Sequence, residues 1–382
     1  MKRETIRVAI TLITMSSLCS VILAQQSWTN QVSGVTTSLN SIKAVNSTVA
    51  WACGNGGTLL RTTDGGTTWN KLASLSEPTL NLYCIDALDA NTAWVTAGDA
   101  SFTTSYLFHT SNGGSSWTLR VSSTASGTFY NAVRMYGANN GVMMGDPENG
   151  YFTIFTTTDG TTWTRTPSSS IPSPLSSEFG LVNHLTISGN GAWFGTGTRM
   201  FRSMDRGRNW MVSTPSGSLG GFAVSSSFAY EQVGLVLGQN GTVARTTDGG
   251  ISWGTSISTG LSNGFGITHV TSSAIIAVGS GGSSSLSTDG GLTWSSKSSP
   301  TTNRLNAVSF ASPAVGWSVG DAGTILKWSG GALGELAEIE PNNEAGQAMA
   351  LSYGDSLNAS INPAGDIDYY RFSAVAGDTV EV

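Results

Sequence analysis

Short apolar runs alternate along the chain with clusters of Gly, Ser, Thr, Asn and Asp, and the alternation keeps a fixed period. Each period opens with an apolar strand-like segment: "LNSIKAV", "LYCIDAL", "FYNAVRMY", "LVNHLTIS", "GFAVSSSF", "GITHVTS" and "LNAVSF". A second one ending in glycine follows: "VAWACG", "AWVTAG", "GVMMG", "AWFGTG", "VGLVLG", "IIAVG" and "VGWSVG". A third runs into an eight-residue phrase, "TTDGGTTW" at 62–69, "TSNGGSSW" at 110–117, "TTDGGISW" at 246–253 and "STDGGLTW" at 287–294. Two variants stand between them, "TTDGTTW" at 157–163 and "SMDRGRNW" at 203–210, and a fourth strand starts at each closing tryptophan. Four strands in a period of about 40–45 residues predict an all-β fold, a seven-bladed β-propeller. Radial sheets bury both faces, which accounts for strands that are apolar without strict alternation.

The seventh period stops at "GTILKW" (323–328) and has no fourth strand. Trp28 in "SWTNQV" stands 41 residues before Trp69, in register with the repeat. The N-terminal strand is therefore expected to complete the last blade and close the ring, leaving no sheet edge exposed.

The repeated phrase reads as a corner between the third and fourth strands. Asp64 accepts backbone N–H groups within a tight turn, and Gly65 and Gly66 take the positive φ that other residues resist. The equivalent pairs are Asn112 with Trp117, Asp159 with Trp163, Asp205 with Trp210, Asp248 with Trp253 and Asp289 with Trp294, as Asp64 is with Trp69. A catalytic Asp would not tolerate the Asn copy or the deletion at 157–163, so the phrase is structural.

Composition narrows the class. Charged residues make up 11% of the 382, and 48 are Gly, as many turns require. Low complexity is the rival, but 12 Trp and 13 Phe at regular places imply a packed core. A net charge of −6 with no basic stripe argues against a nucleic-acid partner. Lys2, Arg3 and Arg7 precede an apolar run from Val8 to Leu23, with Ala24 as a cleavage point. Residues 1–24 are thus expected to be a bacterial-type export signal, its run too short for a comfortable membrane span, and the mature chain to be secreted or at the cell surface. The expected divisions are 25–331 for the propeller, 332–337 for a linker and 338–382 for a separate segment. Export permits a disulfide between Cys53 and Cys84, but both lie in apolar strands, and buried free thiols are the preferred reading.

The pattern S/T-x-D-x-G-x-x-W resembles the Asp-box, or BNR, repeat of sialidases, sortilin-type receptors and xyloglucanases. The fuller blades "GWSVGDAGTILKW" and "VLGQNGTVARTTDGGISW" resemble the photosystem II assembly and stability factor family, of which secreted bacterial relatives exist. This resemblance covers about residues 28–330 and implies the propeller fold. Sialidase activity would need an Arg-Ile-Pro motif, absent here, and an arginine triad; Arg61, Arg202 and Arg245 recur just before the phrases and read as blade surface. From Glu338 onward, "EPNN", "GDIDYYRF" and "AGDTVEV" resemble the start of the bacterial pre-peptidase C-terminal domain, a β-sandwich truncated here. That resemblance implies calcium held by oxygen ligands, by position Glu338, Glu340, Asn342, Asn343, Asp366 and Asp368.

Function is expected on the propeller face opposite the corners, where blades 2 to 4 carry long loops. "GDASFTTSY" (98–106), "GDPENGY" (145–151) and "TRTPSSSIPSPLSSEF" (164–179) offer Asp99, Phe102, Tyr106, Asp146, Glu148, Tyr151 and Glu178 as ligand-binding residues. Acidic groups beside aromatics suit an extracellular glycan or protein segment. The favoured function is a non-enzymatic binding or scaffold propeller; the alternative is a glycoside hydrolase using two of Asp99, Asp146, Glu148 and Glu178. In Gly- and Ser-rich loops these carboxylates are expected to be exposed and spread, forming an acidic rim. His109, His184 and His269 stand alone and read as satisfied structural residues.

Overall fold

The computed structural model describes residues 27–73, 75, 80–125, 127–215, 219–329, 333, 335–337, 349–351, 356–358 and 370–372. Seven four-stranded antiparallel sheets form the propeller. Blade 1 runs through Leu39–Ala44, Ala50–Gly54, Thr58–Thr62 and Asn70–Lys71. Blade 2 follows with Asn81–Ala87, Ala93–Gly98, Ser105–Thr110 and Thr118–Ser123. Tyr130–Met135, Gly141–Glu148, Tyr151–Thr157 and Trp163–Arg165 make blade 3. Blade 4 has Thr186–Ser188, Gly191–Gly195, Met200–Ser203 and Met211–Ser213. Ala223–Tyr230, Val233–Gly238, Thr242–Thr246 and Ile257–Ser258 form blade 5. Blade 6 comprises Gly264–His269, Ile275–Gly279, Ser284–Ser287 and Ser295–Lys297.

The N-terminus closes the ring as the period requires. Leu305–Ser312, Val315–Gly320 and Ile325–Trp328 form three strands of blade 7, and Trp28–Gln31 is the fourth. Trp28 pairs with Trp328 and Gln31 with Ile325. Trp28 is buried, edge-on to Trp328 and Phe310, and its indole N–H donates to Ser284 Oγ of blade 6 at 2.9 Å.

Two elements differ from the sequence expectation. The first strand of blade 4, expected over 181–188, is cut to Thr186–Ser188, because Asn183 sits at φ +61 and breaks the extended run. The segment "GDPENGY" is not a loop. Both strands extend past it, and Asn149 and Gly150, both at positive φ, make a two-residue hairpin turn. Beyond the propeller, Glu335–Ala337 pairs in parallel with Ser356–Asn358, and Met349–Leu351 with Tyr370–Phe372. The export signal and all six expected calcium ligands lie outside the described residues.

Each corner is a small hydrogen-bonded unit. Asp64 Oδ1 accepts the Thr68 N–H and the Thr62 hydroxyl, while Oδ2 accepts the Thr68 hydroxyl at 2.6 Å. Gly66 at φ +84 brings its N–H to Thr62 Oγ1, and a Cβ there would lie 1.9 Å from Gln31 Oε1. The corners also join the blades. Their glycine carbonyls accept bonds from the preceding blade: Gly65 from Lys327, Gly113 from Arg61, Gly160 from Trp94, Gly207 from Thr166, Gly249 from Trp193 and Gly290 from Arg245. Arg61 and Arg245, expected as blade surface, are thus half-buried clamps, and Arg61 also lies over the Trp51 ring.

The carboxylates in these corners make stability acid-sensitive. Hydrogen bonds from Thr68 hold the Asp64 carboxyl down at about 2, and those from Ser252 do the same for Asp248. A carboxyl whose folded pKa is depressed contributes stability above its unfolded value near 3.9, lost as pH falls through the folded value. These corners should therefore add a steep drop in the urea midpoint between about pH 4 and 2. Asn112 shows how an amide serves instead: Oδ1 accepts the Ser116 N–H and Nδ2 donates to the Ser116 hydroxyl. Asp248→Asn should accordingly cost no more than about 1 kcal/mol at pH 7 and blunt part of the acid drop.

Candidate functional site

The seven innermost strands surround a channel, and six carry a β-bulge near their start. At each, one extra residue is inserted opposite the second strand: Asn40, Tyr83, Asn131, Val224, Phe265 and Asn306. A bulge re-aims the side chain it inserts. Five of these six line a cavity of about 450 Å³ at the channel mouth, on the face away from the corners. Blade 4, with its shortened inner strand, contributes the preceding connection instead, and Phe179, Leu181 and Val182 fill that part of the wall.

The mouth has two unlike arcs. On the apolar side Phe179 and Phe222 lie 5.5 Å apart, and Phe179 and Val182 remain exposed. The polar side carries Asn40, Asn55, Gln239, Arg304 and Asn306. Asn40 donates to Asn55 Oδ1 and to the Leu82 carbonyl of the next blade; Asn306 donates likewise to the Leu39 carbonyl. Arg304 lies over the Phe265 ring at 5.0 Å and pairs with Asp321 at 3.2 Å, both partly exposed.

The residues expected from the long loops stand mostly apart from this mouth. Phe102 reaches it indirectly, packing at 5.4 Å on Phe129, which packs on the wall residue Tyr83. Tyr106 is half-buried within blade 2 against Phe108, and Tyr151 pairs with Glu148 at the hairpin tip. The four carboxylates do not form the expected exposed rim, because each already has protein partners. Asp99 closes its own loop on Thr103 and Thr104, whose bonds hold its carboxyl below the usual range. Glu148 pairs with Arg165 at 2.7 Å.

Asp146 and Glu178 shape the mouth from behind. Asp146 accepts the Gly180 N–H at 2.8 Å, and burial pushes its carboxyl up to about 6. Glu178, 4% exposed at its side chain, is gripped by Arg199 through two nitrogens. It also accepts the Leu175 N–H and the Thr196 hydroxyl. Burial pushes its carboxyl up, but these bonds outweigh that and leave it lowered. The two carboxylates pin the chain on either side of Phe179, at Glu178 and at Gly180.

The remaining candidates are structural. Cys53 and Cys84 are buried free thiols, and burial first, then the neighbouring Cys84, pushes Cys53 up. His109 bonds Arg120 and packs on Trp94. His184 and His269 are neutral, burial holding both down at about 3, but they are not fully satisfied as expected. His184 meets only the Ala223 backbone, and Nε2 of His269 has no partner. Among the described residues no cluster of His, Cys, Asp or Glu has metal-binding geometry, and no helix is long and apolar enough to cross a membrane.

No protein-family model matches the chain, and no curated protein does. Solved structures resemble it across the propeller. The structure described as YCF48 bound to D1 peptide is 18% identical at a TM-score of 0.63, covering 80% of this chain and 98% of that one. YCF48 from Cyanidioschyzon merolae is 17% identical at 0.63, covering 79% and 98%. Streptogramin B lyase is 12% identical at 0.63, covering 80% and 99%. The chain therefore shares a seven-bladed propeller fold with a peptide-bound protein and with a lyase, and fold alone does not choose between them.

Proposed function

We propose that this chain is a non-enzymatic binding propeller, exported by its N-terminal leader, that seats a segment of an extracellular protein on the channel mouth. The observation that carries this reading is the mouth itself. Exposed aromatic and aliphatic side chains face an arc of amides and one arginine, held open on a rigid ring. Apolar side chains of a peptide suit the first arc, and its backbone groups suit the amides. The YCF48 neighbour, itself bound to a peptide, supports the choice of a protein segment. Export is supported by Lys2, Arg3 and Arg7 ahead of the Val8–Leu23 run. Hydrolysis is disfavoured by the commitment of Asp99, Asp146, Glu148 and Glu178 to partners of their own, since a glycosidase needs two carboxyls facing one cleft.

A displayed peptide library panned on the immobilised chain tests this, with a glycan array run in parallel. Selected peptides should lose about tenfold or more in affinity on Phe222→Ala or Phe265→Ala. Ile251→Ser, at an exposed corner residue on the other face, should leave affinity unchanged. Peptides indifferent to both mouth variants, or a glycan bound and turned over, would overturn the reading.

A further inference from the structure

Directly below the mouth the channel contains a second cavity, of about 250 Å³, lined by residues of the inner strands. Its walls are polar, and most of their hydroxyls hold neighbouring blades together. Ser225 and Ser227 accept the N–H groups of Ile267 and His269, and Ser309 accepts that of Ala44. Two cations face this space, Lys43 and Arg134. Lys43 is neutralised by Asp86 at 2.9 Å, whose other oxygen takes the Met135 N–H.

Arg134 has no such partner. Its nitrogens donate to the Cys84 sulfur at 2.8 Å, the Val133 carbonyl at 2.9 Å and the Asn183 side-chain oxygen at 2.8 Å. Among the described residues no carboxylate lies within ion-pair distance of Arg134. A guanidinium stays charged at every physiological pH, and a cation inside a protein without a counter-charge is costly. Asn183 is held at φ +61 to receive it, and the same oxygen takes the Ser41 hydroxyl from blade 1. His269 stands on the opposite wall, Nδ1 bonded to Ser227 Oγ and Nε2 unpartnered.

We propose that this inner cavity is a site for one small monovalent anion, a halide or a formate-sized carboxylate, held by Arg134. The anion supplies at contact the charge that Asp86, already paired with Lys43, gives Arg134 only from farther off, and the cavity volume admits it together with water. The site is independent of what binds at the mouth.

The full-length chain is melted at constant ionic strength in sodium gluconate, chloride, bromide and formate. The melting temperature should rise by about 2–4 °C on replacing gluconate, a much larger anion, by one that fits. Formate acting without the halides assigns the site to a carboxylate, and all three acting together assigns it to small anions generally. The rise should vanish in Arg134→Met and persist in the double variant Lys43→Met with Asp86→Asn, which removes a neutral pair. Crystals of the unaltered chain soaked in bromide give a test that needs no variant to fold, with an anomalous peak expected beside Arg134. Equal melting in all four salts, a rise that survives Arg134→Met, or bromide only on the outer surface would each overturn the proposal. A channel peak with no thermal effect would mark an adventitious ion only.

Discussion

Replacing Trp193 with alanine is expected to be the most damaging single change in the propeller, costing about 5 kcal/mol, at the top of the range for a buried tryptophan. Trp193 is wholly buried, lies flat on Phe228 at 3.8 Å and 12°, and donates its indole N–H to Gly249 O at 2.9 Å. Truncation removes a tryptophan stacked between blades 4 and 5, opens a cavity and leaves a corner carbonyl without its donor. Trp253, the closing tryptophan of that corner, meets Phe228 edge-on at 6.3 Å and retains slight exposure. Trp253→Ala should cost less, about 3–4 kcal/mol. Urea titrations of the two variants decide the order; a larger loss at Trp253 would show that the corner, not the inter-blade stack, governs stability.

Arg199→Met is expected to cost about 3–5 kcal/mol, because it strands a buried carboxylate. Glu178 keeps only the Leu175 N–H and the Thr196 hydroxyl when the guanidinium is gone. Arg199 also donates to the Ser173 carbonyl at 3.0 Å and lies over Phe201, so the connection before blade 4 loosens with it. Peptide affinity at the mouth should fall although neither member of the pair lines the cavity. Adding Glu178→Gln removes the stranded charge and should recover a good part of the stability. A double variant as unstable as the single one would place the loss in side-chain packing instead.

Blade number, corner chemistry and ring closure were legible in the sequence because each rests on local chemistry repeated at one spacing. Asp64, Gly65 and Gly66 form their turn among themselves, and Trp28 is in register because the strand it begins is the missing one. The mouth was not legible. A bulge adds one residue to a strand whose pattern is already unbroken, so nothing in "LYCIDAL" or "FGITHV" singles out Tyr83 or Phe265. The carboxylates misled because their partners are set by tertiary contact: Arg165 reaches Glu148 across the blade, and Arg199 reaches Glu178 from the next one. Trp51, Trp94, Trp193 and Trp317 recur at the same place in the second strand, and all four are among the largest wholly buried side chains.

The composite seventh blade has a consequence for how the molecule reaches its native state. Thr29 and Lys327, bonded across the closing pair, are 298 residues apart along the chain. Every other propeller strand finds its partner within a hairpin, whereas this pair brings the two ends of the ring together, an entropic cost of about 5 kcal/mol for a flexible loop of that length. Closure is therefore a late event, and an unfinished arc offers the bare edge of Ile325–Trp328 to any Trp28–Gln31 strand within reach. Dilute refolding favours the strand of the same molecule, and crowded refolding favours that of a neighbour. The outcome in the second case is an exchanged dimer or a head-to-tail chain of open rings, built from the same hydrogen bonds as the monomer.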